Sequence, residues 1–131
     1  QQRQQLLKLI KYKQYRGITE KRLKCFFHDC HQQHSKFLNM VKQMDQDLGT
    51  AVLAAQISVV QPEKPAPDLA KCPFPVHLIS GGHDNLVCKS TMVAMHHDLP
   101  NSDMTLIKNA GHMLPIEQSR ALAEYLTSKI A

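Results

Sequence analysis

A chain of 131 residues fits one domain with a core of ordinary size. Its hydrophobic content of 43% excludes a disordered chain, and no apolar run approaches the roughly 20 residues of a membrane span. The net charge of +5 is lopsided: residues 1–42 carry ten Lys/Arg against two Asp/Glu, while residues 71–131 carry five of each, so two parts with different surroundings are expected.

In chain order, residues 2–14 set Leu6, Leu7, Leu9 and Ile10 among polar neighbours at helical spacing. Gly17 ends that helix and Thr19 offers the next N-cap. Leu23, Phe27, Cys30, His34, Phe37, Val41, Met44 and Leu48 then recur at alternating steps of four and three, one apolar stripe closed by Gly49. So long a helix is unusual, and a break is predicted near His31–Ser35, where the run turns polar. Residues 50–60 read as a further short helix. Pro62, Pro65, Pro67, Pro73 and Pro75 make residues 61–75 a connector, because proline neither continues a helix nor occupies a central strand. Beyond it the pattern is β-α-β-α: strand 75–80, helix 89–98, strand 104–109 and helix 116–130. The chain therefore divides into a helical region 1–60, a connector 61–75 and a βαβα region 76–131.

Two short motifs follow the two strands. Gly81-Gly82-His83-Asp84 closes the first and Gly111-His112-Met113-Leu114-Pro115-Ile116-Glu117 follows the second. If the strands are parallel with a crossover helix, Asp84 and His112 lie on loops at one edge of the sheet. There a carboxylate can orient an imidazole for proton transfer. Gly81 and Gly82 let the strand end turn tightly, and with no Lys or Ser/Thr in place they do not read as a phosphate loop.

Residues 72–131 resemble the C-terminal part of the α/β-hydrolase family: Cys72-Pro73-Phe74-Pro75-Val76 leading a strand, G-x-x-D after it, then a helix, a strand and Gly-His, with Glu117 following. Residues 1–60 resemble the family's helical cap by position and helical character. The resemblance implies an α/β class and a partial α/β-hydrolase fold, a helical cap region followed by two parallel βα units. It also implies a triad in chain order nucleophile, acid, histidine, with Asp84 as the acid and His112 as the base. No G-x-S-x-G occurs, and none of Ser35, Ser58, Ser80, Ser90, Ser102, Ser119 or Ser128 is framed by glycines. Cys88 stands where many members have proline. A whole sheet of this family needs about 250 residues. With the missing motif and a start at Gln1 rather than methionine, a piece of a longer protein is expected.

The function so implied is ester or thioester hydrolysis by the intact protein on a small-molecule acyl substrate, with carbon–carbon bond hydrolysis or dehalogenation left open as other chemistries of the family because the nucleophile segment is unseen. No cofactor is involved, and the 131 residues alone are expected to be inactive for lack of a nucleophile. The missing N-terminal hydrolase part is the expected partner, and two bare strands suggest a homo-oligomer if the chain stands alone. The alternative is a non-enzymatic basic helical interaction module fused to a hydrolase remnant.

His28, Cys30, His31 and His34 invite a metal reading, but no second C-x₂₋₄-C-like pair completes a closed site. No metal is expected, and Cys30 and His34 read instead as buried members of the apolar stripe. The basic run Lys8, Lys11, Lys13, Arg16, Lys21, Arg22 and Lys24 reads as a solvated helix face, with nucleic acid an unlikely partner. Cys25, Cys30, Cys72 and Cys88 show no paired spacing, and residues 1–5 lack the apolar core of a signal peptide, so a cytoplasmic protein with reduced thiols and no membrane contact is expected.

Overall fold

The computed structural model describes residues 2–59, 71 and 73–130, so most of the 61–75 connector lies outside the described residues. The elements run α1 (Gln2–Lys11), α2 (Glu20–Lys24), a 3₁₀ turn (Asp29–His31), α3 (Ser35–Ser58), β1 (Val76–Gly81), α4 (Lys89–Asp98), β2 (Ser102–Ile107), α5 (Leu114–Glu117) and α6 (Ser119–Ile130). No described helix is long and apolar enough to cross a membrane.

The first helix stops three residues short of the predicted 2–14. Lys13 turns into positive φ (54°), and the Gln14 and Tyr15 amides fold back onto the Leu9 carbonyl. Thr19 caps α2 as expected, its hydroxyl accepting from the Arg22 amide at 3.3 Å. The apolar stripe is not a single helix up to the predicted break. The chain leaves α2 at Cys25, and the His28 ring accepts the Cys30 amide to start the 3₁₀ turn. Leu23, Phe27, Leu38 and Val41 are buried together, while Cys30 and His34 are exposed, which corrects their reading as core. His34 stacks on Phe37 instead, at 3.9 Å between ring centroids.

The predicted break fits α3, which starts at Ser35. Gly49 does not close a helix but kinks one. At φ 72° and ψ 172° it takes a conformation that suits glycine, and the helix resumes to Ser58.

Strand β1 pairs parallel with β2, from Val76 opposite Ser102 to Gly81 opposite Ile107, with α4 as the crossover. The second strand begins two residues earlier than predicted and ends two earlier. The polar Ser102 and Asp103 join it because each finds a partner. The Ser102 hydroxyl donates to the Leu99 carbonyl, and Asp103 faces His77 across the strands at 2.9 Å. Positive φ at Asn109 (53°) then turns the chain. The last predicted helix is divided at Gln118, whose φ −136° and ψ 47° separate α5 from α6. Leu78, Met92 and Leu99 pack with Val76, Val87, Met95 and Met104 between the sheet and α4 of this βαβ unit.

Asp103 also binds α6 to the sheet, accepting from Lys129 Nζ and from the Tyr125 hydroxyl at 3.1 Å. Lys129 and then His77 lower its carboxyl, against some desolvation, from the ordinary 3.8 to about 2. A carboxyl depressed by folding adds stability that is complete above its unfolded value and is lost as pH falls through its folded value. The Asp103 contribution is therefore full above about pH 4 and disappears toward pH 2. Asp103→Asn should flatten the pH dependence of the melting temperature between pH 2 and 4, as read by circular dichroism. An unchanged slope would contradict this account.

Candidate active site

Both strand ends open at the same edge of the sheet. Past β1, the Gly82 amide donates to the Ile107 carbonyl at 2.8 Å and the His83 amide to the Ala110 carbonyl at 3.0 Å. The loop after β1 and the loop after β2 are thereby laced together. Their approach is close: a Cβ at Gly81 would lie 2.1 Å from the Gly111 carbonyl oxygen and 2.5 Å from that of Ala110. Glycine is needed there for lack of space rather than for turn geometry.

This lacing brings Asp84 and His112 together, with Oδ2 3.0 Å from Nδ1. The other carboxylate oxygen accepts the Leu86 and Val87 amides at 2.8 and 2.9 Å. The Asp84 side chain is 7% exposed and the imidazole 38%. Burial works to raise the Asp84 carboxyl, but the Val87 amide, His112 and the Leu86 amide together hold it below the ordinary range. An ionised carboxylate only accepts, so Nδ1 of His112 carries the shared hydrogen. That tautomer leaves Nε2 as the proton acceptor of a neutral ring, the arrangement general-base catalysis requires.

His112 is held from the helical region as well as from the sheet. The amides of His112 and Met113 both donate to the Phe26 carbonyl, at 2.8 and 3.2 Å, and the Phe26 ring lies 6.0 Å from the imidazole. Met113 and Ile116 pack on the Leu23–Phe27–Leu38–Val41 cluster. Beside His112 opens a cavity of about 740 Å³ between α1, the 14–19 loop and α3. Leu6, Leu9, Phe26, Met44, Leu48 and Met113 give it apolar walls. Asp45 fixes its rim, accepting the Tyr15 hydroxyl at 2.7 Å and the Ile18 amide at 3.0 Å. Burial and then Asp45 push the Tyr15 phenol up, so Tyr15 remains the donor.

The candidate metal ligands disperse. His28 Nδ1 lies 2.9 Å from Cys30 Sγ, His31 Nδ1 lies 3.0 Å from Glu117, and His34 is on Phe37. Among the described residues no three His, Cys, Asp or Glu side chains converge as a metal site would require. Among the serines, Ser80 is buried, its hydroxyl 3.4 Å from the Gly81 carbonyl oxygen.

Sequence reasoning missed Phe26, which acts through its carbonyl and so leaves no trace in side-chain type. It also gave Glu117 no task beyond its place in the motif. The available signal was a lone acid directly after the apolar Leu114-Pro115-Ile116.

No family model and no curated protein matches the chain. Solved structures do. A thermophilic esterase from Thermogutta terrifontis, solved with malate bound, superposes with a TM-score of 0.83 at 19% identity, over 98% of this chain and 48% of its own. A serine hydrolase involved in carbazole degradation superposes with a TM-score of 0.63 at 20% identity, over 84% of this chain and 46% of its own. The likeness is one of fold: the helices and the parallel βαβα unit match part of the α/β-hydrolase fold, and the chain spans about half the length of the hydrolases it matches.

Proposed function

We propose that this chain supplies the acid and the base of a serine-type α/β-hydrolase. Asp84 orients His112, and His112 deprotonates a serine carried by an N-terminal hydrolase part. An acyl-enzyme forms and is then hydrolysed. The contact between Asp84 and His112, whose imidazole lines the apolar cavity, carries this reading. Residues 1–60 act as the cap, and the cavity walls favour the hydrocarbon part of an ester or thioester. Cys25, Cys30 and Cys88 are free, in keeping with a cytoplasmic setting.

The test joins the chain to an N-terminal part bearing a strand, G-x-S-x-G and a helix, either encoded upstream or taken from the T. terrifontis esterase. The joined protein should hydrolyse p-nitrophenyl butyrate and be labelled at that serine by a fluorophosphonate. The 131 residues alone should do neither. Labelling of a serine within the isolated chain would overturn the assignment. Alone, the chain should also cover its two-stranded sheet by pairing with a second copy. Sedimentation showing a compact monomer at micromolar concentration would contradict that.

A further inference from the structure

Glu117 has a carboxylate that the Asp84–His112 pair does not use, and it is the most completely covered charge near the site. Its side chain is 0% exposed. Three donors from two distant parts of the chain converge on it. Oε1 accepts the Gly111 amide at 2.8 Å, and Oε2 accepts the His28 amide at 2.7 Å and faces His31 Nδ1 at 3.0 Å. A carboxylate that only accepts requires the hydrogen on Nδ1 of His31, so all three contacts are donated to Glu117.

Gly111 immediately precedes His112, and the backbones around it are almost touching. A Cβ at Gly111 would lie 2.8 Å from both the His28 nitrogen and the Phe26 carbonyl oxygen. The Phe26 carbonyl holds the His112 and Met113 amides from the same side. The loop bearing the imidazole is therefore clamped to the 26–31 segment of the helical region, with Glu117 at the centre of the clamp. We infer that Glu117, together with His31, is a positioning residue for His112, through which the helical region sets the imidazole against Asp84.

A hydrogen bond of 3.0 Å does not survive a displacement of about 1 Å, and misplacement on that scale is costly in catalysis. The choice of a carboxylate follows from the donor set. Glutamine would keep the shape but turn an NH₂ group toward a backbone N–H, leaving donor facing donor. The inference rests on His112 being the histidine of the hydrolytic pair, yet its test involves no hydrolysis, so the two can fail separately.

The test uses the ¹⁵N-labelled 131-residue chain and the variants Glu117→Gln and His31→Ala. Two quantities are read: amide exchange at Gly111 and His112, and the Nδ1–H proton resonance of His112. Both variants should speed exchange at Gly111 and His112 at least ten-fold and weaken or remove the Nδ1–H signal. Exchange at Leu78 and Met104 in the sheet should change less than two-fold. Should Glu117→Gln fail to fold, His31→Ala carries the test, since it removes one donor and leaves the buried carboxylate with its two backbone partners. Unchanged exchange at Gly111 and His112 would overturn the inference. Equal acceleration at Leu78 and Met104, or unfolding of both variants, would assign Glu117 to general stability and overturn it as well.

Discussion

In the joined hydrolase, His112→Ala should lower kcat on p-nitrophenyl butyrate by about a million-fold, as loss of the general base does in triad hydrolases. At 1.36 kcal/mol for each power of ten, this is about 8 kcal/mol of transition-state stabilisation. The residual rate would come from the oxyanion hole and substrate binding, both furnished largely by the other part. Asp84→Asn should cost less, about ten-thousand-fold, because it leaves the imidazole in place with the wrong tautomer favoured. In both variants KM should change little, since the apolar walls formed by Leu6, Leu9, Met44 and Leu48 are untouched. Steady-state kinetics with active-site titration would check this ordering. A joined enzyme in which His112→Ala keeps a tenth of the activity would show that another group takes the serine proton.

Gly81→Ala should be the most damaging single-methyl change in the βαβα region. The new carbon would lie 2.1 Å from one backbone oxygen and 2.5 Å from another, and neither atom can rotate away as a side chain would. Relief requires the 110–112 loop to retreat, yet Ala110 is fully buried and the Gly111 amide is bonded to Glu117. Overpacking of this kind costs about 3 kcal/mol or more, a large share of the stability of a small domain. Retreat of the loop would also separate His112 from Asp84. Gly82→Ala is the internal control: its nearest neighbour, the Ile107 carbonyl oxygen, lies at 3.3 Å, and the cost should stay under about 1 kcal/mol. Urea denaturation of the two variants side by side decides the matter. Equal midpoints would mean that the loop yields without cost.

The sequence alone determined the βαβα order, the crossover helix at 89–98 and the placement of Asp84 and His112 at one sheet edge. Those features are local. Apolar runs, turn residues and chain order suffice for them, because parallel strands with one crossover leave their following loops at the same end. Strand and helix ends were less legible. Ser102 and Asp103 look like loop residues until the partners across the sheet and on α6 are known, and the Gln118 break in the last helix has no local marker. The 23–48 stripe misled for a related reason. Its three-and-four spacing continues across a segment that folds back on itself, so Cys30 and His34 fit the period while facing solvent. Only the tertiary structure decided what holds the imidazole in place. The Phe26 carbonyl meets the His112 loop, and the buried Glu117 beside that loop meets His28 and His31, 89 and 86 residues away along the chain. Main-chain acceptors and long-range burial leave no periodicity to read, since they exist only once distant segments have packed.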